Sequence, residues 1–252
     1  MNRQNLEQKL NEILTPHVIK DYCPNGLQVQ GKSEIKKIVT GVTASQALID
    51  KAVELKADAL LVHHGYFWKG EPSQITGMKY NRIKTLIEHD INLFAYHLPL
   101  DIHPELGNNV QLGKLLGIIN VEPLEVGNPY SVAVKGEFEQ PMPALELNER
   151  ITSVLSRQSL HLPSGNDQLI KTIAWCTGGG QDYIDLAASQ GIDAFISGEV
   201  SERTTHTATE LGIHYFAAGH HATERYGVKA LGEYLSNMEG LEVLFVDVDN
   251  PV

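Results

Sequence analysis

The feature that most constrains the fold of this chain is a regular alternation of short apolar runs with amphipathic segments. The apolar runs include residues 38–42, 59–62 and 172–176. Segments with apolar residues at helical spacing, such as residues 45–55, 202–211 and 227–238, lie between or after these runs. Buried strands that alternate with helices of about ten residues predict an α/β layered fold.

Two stretches of the chain resemble each other when one is shifted by 135 positions. Eight residues are then identical in an ungapped window of 30: Lys36, Ile38, Gln46, Ile49, Asp50, Ala52, Asp58 and Ala59 match Lys171, Ile173, Gln181, Ile184, Asp185, Ala187, Asp193 and Ala194. Convergent patterning is the alternative, since small and acidic residues are common after strands. We interpret the likeness as an internal duplication, which predicts two related α/β domains.

The junction between the two repeats is expected in residues 121–143. This segment is rich in proline and glycine, which break regular elements. We therefore divide the chain into a first α/β repeat, residues 1–126, and a second α/β repeat, residues 127–252.

Charge and composition exclude several classes of protein. The 31 acidic and 20 basic residues give a formal charge of −11, which disfavours nucleic acid and anionic membranes as partners. Two cysteines give no disulfide framework and suit a reducing compartment. The N-terminus has polar residues where a secretory signal needs an apolar run, and no stretch approaches the roughly 18 apolar residues of a membrane helix. We expect a cytoplasmic protein.

Histidines stand at the ends of three predicted strands. His63 and His64 follow residues 59–62 directly, His97 follows a strand over residues 91–96, and His220 follows a strand over residues 213–218. Ligands of open α/β sheets bind beyond the carboxyl ends of the strands. These histidines are therefore expected to face a functional site.

Two of these histidines have an acidic residue four positions later. Asp101 follows His97 and Glu224 follows His220, which places each pair on one face if the segment is helical. Pro99 weakens a regular helix for the first pair. The chain holds four such pairs, and we interpret His17/Asp21 and His206/Glu210 as accidental.

The number of nitrogen and oxygen ligands predicts two metal ions at the junction of the two repeats. The proposed ligands are His63, His64, Asp101, His220 and Glu224. They exceed the three or four that one catalytic zinc takes, and they suit zinc, iron and manganese alike. Two ions about 3.5–4 Å apart activate a water molecule and polarise a phosphoryl or carbonyl oxygen. His97 is the candidate catalytic residue, as an acid–base group or as an orienting partner; the alternative is a structural histidine.

Two further motifs allow a functional and a structural interpretation. Tyr66, Phe67 and Trp68 are candidates for stacking on a base, although ordinary packing at a loop is the commoner use of such a run. Residues 177–180, Thr-Gly-Gly-Gly, are able to bind phosphate but lack the established glycine spacings. A tight turn from strand to helix is the favoured interpretation.

Long motifs of this chain resemble the Nif-three-like proteins, also called GTP cyclohydrolase I type 2 homologues. The motifs are CPNGLQV at 23–29, GVTAS at 41–45, LLVHHGYFWKG at 60–70, HLPLDIHPELGNN at 97–109 and AAGHHATERYG at 217–227. The resemblance covers nearly the whole chain and is closest to short bacterial members without an inserted domain. It implies two related α/β domains with a dinuclear metal site between them, and a toroidal homohexamer. It also implies the same five metal ligands, with Glu224 as the bridge.

Three functions remain open at this point. The first is metal-dependent hydrolysis of a nucleotide-like or phosphorylated small molecule. The second is ring opening of GTP, in which water attacks C8 of the purine. The third is a non-catalytic metal-binding ring that acts as a scaffold, a metal store or a nucleic-acid or DNA-repair accessory factor. The sequence names neither the substrate nor the metal.

Overall fold

The computed structural model describes residues 1–166 and 168–252. Its α-helices are α1 Arg3–Leu14, α2 Gln46–Glu54, α3 Gly77–Glu88, α4 Leu98–Asp101, α5 Asn108–Leu116, α6 Ala144–Leu155, α7 Ile184–Ser189, α8 Glu202–Leu211 and α9 His220–Ser236. Its strands are β1 Gly26–Val29, β2 Lys37–Thr43, β3 Ala59–His64, β4 Asn92–Ala95, β5 Ile119–Pro123, β6 Val134–Met142, β7 Leu160–Leu162, β8 Ile170–Cys176, β9 Ala194–Ser197, β10 His214–Ala217 and β11 Glu242–Phe245. The predicted α/β class is confirmed.

The first compact unit contains Met1–Gly107 and Gly227–Asp249. Its sheet has the order β1-β4-β3-β2-β11, in which β4, β3, β2 and β11 run parallel and β1 pairs antiparallel with β4. Successive residues of β3 point to opposite faces, so that Leu61 packs with α1 and α9 while Leu60 packs with α2 and α3. Helices on both faces explain why the run Ala-Leu-Leu-Val is apolar throughout.

The second compact unit contains Asn108–Tyr226 and Asn250–Val252. Its sheet has the order β5-β6-β8-β9-β10-β7, in which β8, β9 and β10 run parallel and the other neighbours are antiparallel. Helices α5 and α6 pack on one face around Trp175, and α7 and α8 pack on the other around Phe195. The sheet is therefore also covered on both faces.

The two sheets share a four-strand arrangement. The order β1-β4-β3-β2 recurs as β7-β10-β9-β8 with the same strand directions. Asp58 Oδ2 accepts from the backbone N–H groups of Lys36 and Lys37, 2.9 and 3.1 Å away. Its match Asp193 accepts in the same way from Lys171 and Thr172, at 2.9 and 2.8 Å. Both observations support the predicted duplication.

Two local expectations were wrong. Residues 121–143 do not simply interrupt regular structure, because most of β5 and all of β6 lie there and pair with each other. Helix α9 begins at His220, seven residues before the glycine at which the pattern placed its start. The boundaries between the two compact units fall near residues 107 and 226. A packing unit and an ancestral repeat need not share a boundary, so the repeat boundaries 1–126 and 127–252 remain a prediction.

Among the described helices, none combines the length and hydropathy that a membrane span requires.

Candidate metal centre

His63 and His64 are the last two residues of β3 and lie at the carboxyl end of a central parallel strand. Their ring centroids are 4.5 Å apart. Gly65 follows them, and a Cβ atom there would lie 2.2 Å from Oε1 of Gln28 and 2.6 Å from Cβ of Ala95. Glycine is therefore favoured after the two histidines, because a side chain there would collide with Gln28 and Ala95.

The ring of His63 is fully buried and held by a backbone carbonyl. Its Nδ1 lies 3.0 Å from the carbonyl oxygen of Tyr96, which only accepts hydrogen bonds. Nδ1 must therefore carry the proton, and in the neutral ring Nε2 keeps its lone pair. This Nε2 lies 3.5 Å from Oδ1 of Asp101. Nδ1 of His64 lies 3.1 Å from the hydroxyl of Thr43.

Asp101 ends the one-turn helix α4 and is 7% exposed. Pro99, which weakened the sequence prediction, occupies the first turn of this helix, where the backbone N–H has no acceptor within the helix and proline is tolerated. The backbone N–H of Asp101 donates to the carbonyl of His97, 3.2 Å away. This turn places the carboxylate beside His63.

His97 is anchored by Asp21, a residue that the sequence analysis assigned to an accidental pair with His17. Nδ1 of His97 donates to Oδ1 of Asp21 at 2.7 Å. The other oxygen of Asp21 accepts from the backbone N–H of Leu98 and the side-chain amide of Asn25, both at 2.9 Å. Burial alone would raise the pKa of Asp21, but the hydrogen bond and charge of His97, with the other donors, hold that pKa below its ordinary value.

Three of the predicted residues of the first unit form one cluster. The ligand nitrogens of His63, His64 and His97 all lie within 4.8 Å of one another. Cys23 joins Asp21 and His97 in a neighbouring group, although burial, together with the charge of Asp21, raises the pKa of its thiol to about 12. Cys23 is therefore protonated at neutral pH and is a poorer metal ligand than the imidazoles.

His220 and Glu224 belong to the second unit and lie one turn apart at the start of α9. Nε2 of His220 lies 3.2 Å from Oε2 of Glu224, which is 3% exposed. Nδ1 of His220 donates to Oε1 of Glu199 at 2.7 Å. Burial alone would lower the pKa of His220, but its bonds to the two carboxylates outweigh that effect and raise the pKa to about 9.

The Thr-Gly-Gly-Gly segment is a turn that packs against this pair. The backbone N–H of Gly178 donates to the hydroxyl of Thr223 at 3.0 Å, and Gly178 has a φ of +66°. A Cβ atom at Gly178 would lie 2.0 Å from Oε1 of Glu224 and 3.0 Å from Nε2 of His220. Glycine is needed here for the close approach of Glu224.

The remaining sequence candidates differ in their surroundings. Tyr66 is 5% exposed and donates its hydroxyl to the carbonyl of Ala44, so it belongs to the core. Phe67 lies under the ammonium group of Lys79, 5.3 Å from the ring centroid. Trp68 is the member of the run Tyr-Phe-Trp that reaches the histidines, with ring centroids 5.8 Å from His64 and 4.8 Å from His97.

Sequence reasoning missed the two carboxylates that anchor His97 and His220. Glu199 follows β9 by two residues, so the strand-end rule that selected the histidines would also have found it. Asp21 lies 76 residues from His97 in an irregular segment, and the pattern around it gave no signal. His206 pairs with Glu202 on the exposed face of α8, rather than with Glu210.

The donor chemistry of both units fits a divalent metal ion. Imidazole nitrogen and carboxylate oxygen are the ligands that zinc, iron and manganese share. The first unit presents His63, His64 and Asp101, and the second presents His220 and Glu224. Metal-binding histidines in proteins normally donate their second ring nitrogen to an oxygen acceptor. His63 and His220 both have an oxygen acceptor at Nδ1.

Comparison with known proteins gives a consistent family match. The family model described as Duf34/NIF3 (NGG1p interacting factor 3) matches residues 1–251. Curated relatives named GTP cyclohydrolase 1 type 2 homolog are 66% identical in Vibrio cholerae, 60% in Haemophilus influenzae and 55% in Escherichia coli K12. Each alignment covers the full length of both proteins.

Solved structures agree with the sequence matches. A structure described as protein ybgI, of unknown function, is 55% identical with a TM-score of 0.95. The structure of TTHA1606 from Thermus thermophilus is 37% identical with a TM-score of 0.89. Both alignments cover the whole of each chain. Reduced HcgD from Methanocaldococcus jannaschii is 26% identical over 98% of each chain, with a TM-score of 0.85.

Proposed function

Because the chain belongs to the Duf34/NIF3 family, we propose that it binds two divalent metal ions and hydrolyses a nucleotide-like or phosphorylated small molecule. The proposed ligands are His63, His64, Asp101, His220 and Glu224. Zinc, iron and manganese all suit this ligand set.

The observation that carries this proposal is the shared anchoring of three histidines. Nδ1 of each ring lies against an oxygen acceptor: the carbonyl of Tyr96 for His63, Asp21 for His97 and Glu199 for His220. This arrangement fixes each ring and leaves Nε2 as the atom for metal or substrate. Buried carboxylates face Nε2 in two of the three cases, Asp101 at 3.5 Å and Glu224 at 3.2 Å.

In the proposed reaction, the metal ligands and the acid–base group His97 have separate roles. When bound, two divalent ions lower the pKa of a water molecule and polarise a phosphoryl or carbonyl oxygen. His97 is the proposed group that moves a proton at Nε2. Asp21 holds its Nδ1–H, which orients the ring.

Ring opening of GTP is the second candidate reaction, and the names of the relatives favour it. Attack of water at C8 of a purine needs an activated water, a proton carrier and a place for the base. His97 and the adjacent Trp68 are the residues of this chain that suit the last two needs. Release of formate from GTP distinguishes this reaction from phosphate ester hydrolysis.

We further propose a homohexameric, cytoplasmic protein whose partners are small molecules and its own copies. The family resemblance supports the hexamer, and the formal charge of −11 disfavours nucleic acid as a partner. A non-catalytic metal-binding ring is the alternative. Salt-sensitive binding of single-stranded DNA would favour that alternative, and light scattering tests the hexamer.

The proposed reaction is tested by removing and restoring metal. Protein stripped with a chelator is expected to lose turnover of nucleotide substrates and to regain it with zinc, iron or manganese. His97→Asn is expected to lose turnover while it retains metal, and His89→Asn, at an exposed position at the end of α3, serves as the matched control. Turnover that persists after complete metal removal would contradict the proposal.

A further inference from the structure

Two aromatic side chains from separate loops contact the ring of His97. Trp68 lies with its ring centroid 4.8 Å from that of His97 at an interplanar angle of 84°. Tyr22 lies at 6.5 Å and 61°. The backbone N–H of Lys69 donates to the carbonyl of Tyr22 at 2.6 Å, which joins the two loops. The proposed proton carrier is therefore flanked by aromatic rings that the sequence analysis did not pair.

Tyr22 has no role in the core. It is 61% exposed, although it follows Asp21, whose side chain is 4% exposed and anchors His97. The segment thus places a buried carboxylate and an exposed aromatic ring at the same imidazole. The exposed ring offers a large apolar face to a ligand beside a candidate catalytic residue.

The loop that carries Trp68 is held rigidly by polar contacts. The indole N–H donates to the carbonyl of Gly65 at 3.2 Å, and the backbone N–H of Trp68 donates to Oε2 of Glu71 at 2.9 Å. Lys79 bonds Oε1 of Glu71 at 2.8 Å and the carbonyl of Pro72 at 2.8 Å. The indole is therefore positioned before any ligand arrives, which reduces the entropy cost of binding.

Backbone strain in this loop supports a functional role. Phe67 has a φ of +66°, a conformation that costs a bulky residue free energy and is uncommon. It directly precedes Trp68. Strain of this kind is concentrated at ligand-binding and catalytic sites, where the surrounding structure maintains it.

We propose that Tyr22 and Trp68 bind a planar heteroaromatic ring of the substrate, such as a nucleobase, beside His97. A T-shaped contact uses one edge or one face of the indole, so at least one face of Trp68 is not used by His97. Stacking on aromatic side chains accepts any base, because every base has a π-face. This inference rests on the proposed function and narrows its substrate class to molecules that carry such a ring.

Tryptophan fluorescence tests this inference without any need for turnover. The chain has two tryptophans, Trp68 and Trp175, and Trp175 is fully buried in the second unit. Guanosine, adenosine, uridine and ribose 5-phosphate are titrated into metal-loaded protein. We expect the nucleosides to quench the emission saturably and ribose 5-phosphate to leave it unchanged. Trp68→Phe is expected to abolish the signal.

A pair of tyrosine variants tests the role of Tyr22. Tyr22→Ala is expected to weaken nucleoside binding about tenfold, within the range for loss of one stacking contact. Tyr130→Ala, at a position 44% exposed in the second unit, is expected to bind as the unaltered protein does. Absence of quenching by every nucleoside, equal quenching by ribose 5-phosphate, or unchanged affinity in Tyr22→Ala would overturn the inference.

Metal content measured on the same preparations separates this inference from the proposed function. Full metal occupancy without nucleoside binding would overturn the ring-binding inference and leave the metal proposal standing. Nucleoside binding that requires Tyr22 in protein that cannot be loaded with metal would support the ring-binding role and contradict the metal proposal.

Discussion

Nε2 of His63 lies 3.5 Å from Oδ1 of Asp101, and both side chains are buried, at 0% and 8% exposure. Nδ1 of the same histidine is occupied by the carbonyl of Tyr96. The strand β3 and the one-turn helix α4 thus bring a nitrogen and an oxygen atom close together in the first unit. Burial of a carboxylate is costly unless a partner compensates its charge, and a metal ion is a strong partner for this pair.

Asp101→Asn tests whether this carboxylate is a metal ligand. The amide preserves the shape of the side chain but lacks its charge, so metal affinity is expected to fall by more than the roughly 10- to 100-fold that loss of an outer-shell partner costs. Equilibrium competition against a metal-sensitive dye measures the change. Asp90→Asn is the control, since Asp90 is exposed and its φ of +53° suits asparagine equally well. Equal metal affinity in both variants would exclude Asp101 as a ligand.

Asp21→Asn is expected to destabilise the protein by about 2–3 kcal/mol, the range for a buried charged group that accepts several hydrogen bonds. The carboxylate accepts from His97, Leu98 and Asn25, and the amide leaves some of these donors without an acceptor. The free energy of unfolding in urea measures the effect.

The low pKa of Asp21 adds a test by pH. A carboxyl group with a lowered pKa in the folded state contributes stability above its unfolded pKa, near 3.9, and loses it as pH falls through the folded value. The difference between the unaltered protein and Asp21→Asn is therefore expected to be constant near neutral pH and to shrink below about pH 4. Asp182→Asn, which breaks an exposed ion pair with Arg203, is expected to cost less than about 1 kcal/mol. Equal costs for the two variants would contradict the anchoring role of Asp21.

Gly178→Ala is expected to disturb Glu224 specifically. Alanine at a φ of +66° costs about 1–2 kcal/mol on backbone grounds alone. Its Cβ would also lie 2.0 Å from Oε1 of Glu224, which must then move. Gly191→Ala is the matched control in the same unit, because Gly191 has a φ of +71° and no atom within 4 Å of a Cβ. Gly178→Ala should lose more stability than Gly191→Ala, because only its Cβ displaces a buried carboxylate. Metal affinity should fall in Gly178→Ala alone, and retention of full affinity there would exclude the role of this glycine.

Metal binding is expected to release a proton from His220. The pKa of this residue is about 9 in the metal-free chain, so the ring is charged at pH 7 and the incoming ion must displace its proton. Affinity should therefore rise about tenfold per pH unit from pH 7 and level off above pH 9. Calorimetry in buffers of different ionisation enthalpy counts the protons released. Affinity that does not change between pH 7 and 8.5 would show that His220 is not a ligand.

The central parallel strands were predictable because their residues are apolar on both faces. Ala59 to Val62 is an unbroken apolar run, and the strand ends at the two histidines that the sequence pattern placed there. The antiparallel strands β1, β5, β6 and β7 were not predicted. All five residues of β5 are exposed, and β6 contains Gly136 and Pro141, so neither strand carries the pattern of a buried strand. Pairing between neighbours specifies these strands more than their composition does.

The proposed metal ligands were predictable from local position, whereas the carboxylate that anchors His97 was not. His220 and Glu224 are four residues apart on a helix, and that spacing is visible in the sequence. The bond between His97 and Asp21 joins residues 76 positions apart, and it exists only because β1 folds back beside β4. The contact of Tyr22 with His97 depends on the same fold-back of the chain, and the contact of Trp68 with His97 depends on the parallel pairing of β3 with β4.

Metal content per chain tests the central claim most directly. Protein purified without an affinity tag or chelators is analysed by elemental mass spectrometry, before and after dialysis against zinc, iron or manganese. We predict about two ions per chain, and a marked loss in the double variant His63→Asn/His220→Asn. A content near zero, with no uptake from any of the three metals, would contradict the account and leave the five side chains with structural roles.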